Sequence, residues 1–162
     1  AALLTVPYRM FVVGKGPLGR YRRLAARLGV ADQVVFTGPQ QQVERFYRGC
    51  DLFVFPTLYD PFSNATLEAL ASGLPVITTV FNGVSELISE GENGTVLADP
   101  LDARALARAI ERLAPAGERQ RQGRAAAATA RPFTMERNVR ETMAVIATVS
   151  GEEPTTAGEV AG

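Results

Sequence analysis

The stretch from Leu52 to Thr79 constrains the fold of this chain most strongly, because it predicts a strand, a loop, a helix and a second strand in succession. The run LFVF is apolar and rich in β-forming residues, and Pro56 ends it. The helix-forming run ATLEALAS ends before Gly73, and PVITT predicts a second buried strand. Strands joined by a helical crossover pair in parallel, so the loop lies at the sheet edge where open α/β folds bind ligands.

Two carboxylates flank this loop, Asp60 within it and Glu68 in the predicted helix. With Ser63 or Asn64 as the N-cap, Glu68 lies at the end of the first helical turn, and its side chain can lean back towards the N-terminus. Both carboxylates could therefore face one crevice beside free N–H groups, which suit a phosphate. The alternative is that Glu68 only complements the helix dipole and that Asp60 only starts a turn.

The rest of the chain repeats the alternation of strands and helices. Further strands are predicted at MFVV, QVVFTG and TVL, each followed by a turn or a helix-forming run. Five such strands predict an α/β fold with a doubly wound, Rossmann-like parallel sheet of about five strands. We expect one domain over residues 1–149 and a disordered tail over 150–162, since the tail has almost nothing to bury.

The first predicted strand is followed by GKGPLG, which matches the dinucleotide-binding fingerprint at Gly14, Gly16 and Gly19. A nicotinamide cofactor also requires an acidic residue near the end of the next strand to hold a ribose. That strand ends in Thr37 and Gly38, so the glycines favour a tight strand-to-helix turn near the crevice. The NAD-type domain of an oxidoreductase stays as one alternative, and a non-catalytic α/β binding module as another.

Composition excludes several classes of function. The chain carries no net charge and no histidine, which gives no electrostatic case for nucleic acid and no imidazole for metal binding or proton transfer. The single Cys50 excludes an internal disulfide and fits a reducing compartment. The sequence has no run of membrane-spanning length and no signal peptide, so we expect a cytoplasmic protein.

The segment YDPFSNATLEALASGLPVITT, with NGVSELI and GENGTVL after it, resembles the group-1 (family 4) retaining glycosyltransferases of the GT-B fold, in their C-terminal, donor-binding half. The family pattern is an acidic residue, then Pro-Phe-Gly, and a second acidic residue after seven intervening residues. Here Asp60 and Glu68 are the acidic residues, with Pro61 and Phe62 in register. Asp60 replaces the usual Glu, and Ser63 replaces the usual Gly.

The resemblance implies a role for each residue of this segment. Asp60 and Glu68 would be the catalytic pair, with Asp60 on donor-sugar hydroxyls and Glu68 on the ribose diol. The backbone of Phe62 and Ser63 would contact the same sugar, and the amides of Asn64 and Ala65 would hold phosphate. The residues expected near the base and phosphates are Thr37, Gly38, Gly14, Lys15 and Gly16.

The resemblance covers residues 10–148 and is similar in character to the glucosyltransferases that build lipopolysaccharide cores. It implies transfer of a sugar, with retention, from a UDP-linked donor to a glycan or lipopolysaccharide-type acceptor in bacterial cell-envelope biosynthesis. No cofactor or metal is expected, because the sequence has no Asp-x-Asp pair.

The resemblance also implies that the acceptor-binding half is absent, together with the first strand–helix unit and the Arg and Lys that hold the diphosphate. We therefore expect this domain to be truncated at its N-terminus and inactive alone. Peripheral membrane association of the full-length enzyme stays open, and the donor sugar, acceptor and oligomeric state are not indicated.

Overall fold

The structure is a computed structural model that describes residues 1–150. The chain divides into two compact units, Ala1–Ala130 and a second unit that begins at Arg131. The second unit contains one long helix, which begins after Thr134. The tail predicted over residues 150–162 lies, except for its first residue, outside the described residues.

Strands and helices alternate along the first unit. The strands are β1 Met10–Val13, β2 Val34–Gly38, β3 Phe53–Val54, β4 Val76–Thr79 and β5 Gly94–Leu97. The α-helices are α1 Leu18–Arg27, α2 Glu44–Gly49, α3 Asn64–Ala71, α4 Ala103–Arg112 and α5 Ala116–Ala130, with α6 Met135–Ser150 in the second unit. Short 3-10 helices span Ala31–Gln33 and Gly83–Leu87.

All described strand pairs are parallel, which confirms the doubly wound α/β class. The five strands are divided between two sheets, one with β1 and β2 and one with the order β3-β4-β5. The division arises because, within residues 1–150, β1 pairs with β2 alone and β3 pairs with β4 alone. Strand β3 is only two residues long, since Pro56 closes the apolar run soon after it.

Strand β4 is the centre of the core. All four of its residues are buried, whereas the residues of β1 and β3 are mostly half-buried. On one side Val76 packs in a cluster with residues of α3 and α5, and on the other Ile77 packs with residues of α4. The well-packed three-stranded sheet therefore supports the loops that follow β3 and β4.

A close glycine contact sets the position of α3. The C-cap of α3 is Ser72, and Gly73 directly after it has φ +78°, so the predicted terminating glycine lies one residue beyond the cap. Gly123 of α5 lies directly against it, because a Cβ built on Gly123 would come within 2.3 Å of the Gly73 carbonyl oxygen. Helix α5 therefore holds the C-terminal end of α3, and the N-terminal end lies at the carboxyl edge of the sheet.

Candidate functional site

The loop that carries Asp60 is joined to the loop that follows β4. The backbone N–H of Asp60 donates to the Phe81 carbonyl at 2.9 Å, and the N–H of Gly83 donates to the Asp60 carbonyl at 2.9 Å. Gly83 lies so close that a Cβ there would be 1.9 Å from the carbonyl oxygen of Pro61. The conformation around Asp60 is thus determined by a second loop at the same sheet edge.

Asn82 connects this edge to the first turn of α3. Its side chain is fully buried, and its amide donates to the hydroxyls of Thr66 at 3.0 Å and Thr78 at 2.9 Å. Its carbonyl oxygen accepts from the N–H of Val84 at 3.1 Å. The sequence indicates only a turn at this Asn-Gly pair, because such a pair is equally favourable whether the amide meets solvent or the core.

The N-terminal end of α3 is capped from one side and open on the other. Of the two predicted N-caps, Ser63 and Asn64, the N-cap is Ser63, and its buried hydroxyl accepts from the N–H of Thr66 at 3.3 Å. Within residues 1–150, no acceptor lies on the backbone N–H of Asn64 or Ala65. These two amides point out of a helix end whose dipole is positive, which suits an anion.

Asp60 and Phe62 have different local environments. A carboxylate oxygen of Asp60 accepts from the N–H of Phe62 at 3.2 Å, which is the turn geometry that the alternative interpretation of Asp60 requires. Phe62 is 46% exposed and therefore does not belong to the core. The same two loops carry further exposed apolar side chains, namely Leu58, Tyr59, Val80 and Phe81.

Glu68 is held by a residue that the sequence assigns to the core. The hydroxyl of Tyr47, on α2, donates to Oε2 of Glu68 at 3.1 Å. Burial raises the pKa of Tyr47 to about 12, with smaller contributions from the Glu68 charge and from this hydrogen bond. Glu68 itself is exposed, and it lines a cavity of about 420 Å³ together with Tyr47 and Gln41. No periodicity in the sequence distinguishes a tyrosine with a bonded hydroxyl from ordinary core.

The glycine loop lies beside the end of β2. The N–H of Gly14 donates to the Gly38 carbonyl at 3.0 Å, and both residues have positive φ, +137° and +73°. Thr37 is half-buried, and its hydroxyl donates to the backbone of β1, whereas Lys15 and Gly16 are exposed. These five predicted residues therefore form one group.

The predicted residues after β3 form a second group around the start of α3. Asp60 and Glu68 bond to different partners, Asp60 within its own loop and Glu68 to α2. The segment after Gly38 leads from the glycine-loop group towards Glu68, because Gln41 lines the cavity on which Glu68 lies.

Across residues 1–150, no three His, Cys, Asp or Glu side chains are grouped so that they could hold a metal ion. In the same residues, no helix has both the length and the apolar character that crossing a membrane requires.

A doubly wound α/β unit with an open helix N-terminus and a carboxylate at its carboxyl edge is typical of the nucleotide-binding class of folds. The sequence pattern of the family "Glycosyl transferases group 1" matches residues 2–115, and the chain belongs to this family. This match does not favour the dinucleotide-binding alternative for the glycine loop.

Known proteins place the chain within that family. It is 34% identical over 159 residues to D-inositol 3-phosphate glycosyltransferase of Acidothermus cellulolyticus, covering 93% of this chain and 35% of that protein. It is similar in structure to sucrose-phosphate synthase from Thermosynechococcus elongatus, with TM-score 0.82, 26% identity and coverage of 93% and 41%. It is also similar to WaaG, a glycosyltransferase involved in lipopolysaccharide biosynthesis, with TM-score 0.75, 27% identity and coverage of 93% and 38%.

The share of each relative that the chain covers shows which part of a glycosyltransferase it corresponds to. The neighbours have the GT-B architecture, so the chain is a single GT-B half-domain. It spans about a third of the length of the relative from Acidothermus cellulolyticus, 35%.

Proposed function

We propose that this chain is the donor-binding half of a retaining glycosyltransferase that uses a UDP-linked sugar. The observation that carries the proposal is the open first turn of α3 in a member of this family. Two backbone amides, those of Asn64 and Ala65, are available there to an anion. In sugar transfer from a nucleotide diphosphate, negative charge develops on the leaving diphosphate, and stabilising that charge is the main catalytic task.

In this proposal the carboxylates bind the uncharged parts of the donor. Glu68 accepts hydrogen bonds from the ribose diol, for which a carboxylate with two oxygens is well suited. Asp60 binds hydroxyls of the donor sugar, and the backbone of Phe62 and Ser63 contacts the same sugar. The oxygen of Asp60 that bonds to Phe62 keeps the carboxylate oriented, and its second oxygen serves the sugar.

The acceptor and the setting of the reaction are part of the same proposal. Likeness to WaaG, described as acting in lipopolysaccharide biosynthesis, supports a glycan or lipopolysaccharide-type acceptor, bound by the other half of the enzyme. We propose a metal-independent reaction on the cytoplasmic side of the cell envelope, with peripheral membrane association of the full-length enzyme. The positive end of α3 and cations outside this chain would then meet the diphosphate charge.

Nucleotide-induced stabilisation tests the proposal. UDP is expected to raise the melting temperature of the chain and NADH is not, because the proposed site takes a single nucleoside whose diphosphate leads to a sugar, whereas the diphosphate of NADH joins two nucleosides. At a hundredfold excess over Kd, a bound ligand stabilises the folded state by about 2.7 kcal/mol. Differential scanning fluorimetry measures this shift.

A pair of variants makes the test specific to Glu68. Glu68→Gln is expected to reduce the UDP-induced shift, because an amide accepts through only one oxygen. Glu92→Gln is the matched control, since Glu92 is an exposed carboxylate in the turn before β5. Equal UDP shifts in wild type and Glu68→Gln would remove Glu68 from the site, and stabilisation by NADH would restore the dinucleotide alternative.

A further inference from the structure

We propose that Tyr47 is a positioning residue that orients the Glu68 carboxylate towards the ribose of a bound nucleotide. The inference rests on the proposed function of Glu68. Its basis is the hydrogen bond of 3.1 Å from the Tyr47 hydroxyl to Oε2 of Glu68, which links α2 to α3. Tyr47 would not touch the nucleotide sugar, and it would act only through the carboxylate.

The ring of Tyr47 is fixed by packing. The residue is only 7% exposed and lies in the core cluster that contains Ala69 and Leu70 of α3. Its ring also meets Phe53 edge to face, with the ring centroids 5.9 Å apart. Because the ring cannot turn away without disturbing the core, its hydroxyl occupies one defined position.

The Glu68 carboxylate has one orientation only if a fixed hydrogen-bond partner holds it. Its side chain is long and exposed, and in water it would populate many rotamers. Within residues 1–150, Tyr47 is the one side chain that donates a hydrogen bond to its carboxylate, and Oε1 accepts from none. The bond therefore selects one orientation of the carboxylate and leaves Oε1 for a ligand hydroxyl.

The hydroxyl of Tyr47 remains a donor over the whole neutral range. Burial, together with the nearby Glu68 charge, raises its pKa to about 12, so the phenol stays protonated throughout the neutral range. A neutral phenol beside a carboxylate can only donate to it. The direction of the bond, and with it the orientation of Glu68, does not change with pH near neutrality.

A cavity lies beside this pair and connects it with the proposed nucleotide site. It is lined by Glu68 and Tyr47 and by residues of the segment that follows Gly38, with Gln41 and Val43 among them. Helix α2 therefore connects the end of β2, predicted to meet the base, with the carboxylate predicted to meet the ribose. Tyr47 sits on that connection and sets the distance between the two contacts.

The test compares ligands that differ only in the diol. Binding of UDP and of 2′,3′-dideoxy-UDP is measured by equilibrium titration of the whole chain. Tyr47→Phe keeps the ring and removes the donor. It is therefore expected to weaken UDP binding about tenfold, the order of the cost of ordering a free glutamate, and to leave dideoxy-UDP binding unchanged. Tyr21→Phe, on the exposed face of α1, is the matched control and should alter neither.

The same substitution in the Glu68→Gln variant distinguishes the proposed role of Tyr47 from a general effect on packing. In Glu68→Gln, the further change Tyr47→Phe should not weaken UDP binding again, because the carboxylate that it orients is gone. Suppose that wild type binds UDP more tightly than dideoxy-UDP and that Glu68→Gln loses this preference. If Tyr47→Phe then weakens the binding of both ligands equally, or of neither, the inference about Tyr47 is wrong and the proposed function stands. If wild type binds both ligands equally, Glu68 does not hold the diol, and the inference about Tyr47 fails together with the proposed role of Glu68. The donor-binding function itself fails only if UDP neither binds nor stabilises the chain.

Discussion

At the scale of single residues, the candidate site depends on side chains outside the acidic pattern that runs from Asp60 to Glu68. Asn82 satisfies two buried hydroxyls and one backbone N–H, and a buried polar group without its partners costs about 1–3 kcal/mol. Gly83 lets the second loop approach Pro61 closely. Two adjacent residues after β4 thus determine the conformation around Asp60.

Gly83→Ala should destabilise the chain by about 1–3 kcal/mol, the usual cost of overpacking. The reason is steric, since the new methyl group would overlap the Pro61 carbonyl and displace the loop that carries Asp60. The urea midpoint of unfolding measures the change. Gly117→Ala on α5 is the control, because nothing lies within 4 Å of its added Cβ. Equal midpoints for the two variants would show that the contact is not rigid.

At the scale of elements, the helix caps follow the local sequence. Asp102 accepts from the N–H groups of Arg104 and Ala105 at the start of α4, as its position predicts. Ser63 caps α3 in the same manner. The replacement of the family's usual Gly by Ser63 is therefore compatible with an extended backbone at φ −76°, and it adds a capping hydroxyl.

Ser63→Ala and Asp102→Ala should each cost about 1 kcal/mol of stability, because each removes one N-cap. Only Ser63→Ala should also weaken UDP binding, since the proposed phosphate site lies at α3 and not at α4. Chemical denaturation measures the first effect and UDP titration the second. A similar loss of UDP affinity in both variants would indicate that global stability, rather than the α3 terminus, controls binding.

At the scale of the whole molecule, burial is unevenly distributed. The three-stranded sheet has a fully buried central strand, β4, whereas the two-stranded sheet of β1 and β2 is mostly half-buried. Few buried contacts and exposed strand edges lower the free energy of local opening. The glycine-loop group thus lies on the less protected part of the unit, and the α3 group on the more protected part.

Native-state hydrogen exchange should resolve this difference. The amides of β4 and β5 are expected to exchange last, near the rate set by global unfolding, and those of β1 and β2 earlier through local opening. Mass spectrometry of peptides that cover each strand measures the order. Exchange of all four strands at one rate would mean that the two sheets open as a single cooperative unit.

The parts of the fold that depend on neighbouring residues were predictable. Local propensity and short-range hydrogen bonds account for the strand, loop, helix and strand between Leu52 and Thr79. They also account for the caps at Ser63 and Asp102 and for the glycine after α3, Gly73. The family motif likewise lies in one continuous stretch. The order of elements predicted the α/β class, and the resemblance of this stretch to the group-1 glycosyltransferases predicted the GT-B half-domain, which the known structures confirm.

The sequence by itself determined the class of fold, the family and the segment that carries the candidate site. Only the tertiary structure decided that Asn82 reaches Thr66 across 16 residues, that Tyr47 reaches Glu68 across 21, and that the five strands divide into two sheets. The physical reason is that a hydrogen bond between distant residues forms only when the packing of the core brings them together. Local propensity depends only on neighbouring residues and does not predict such a bond. The contacts that orient the carboxylates are therefore visible only in the tertiary structure.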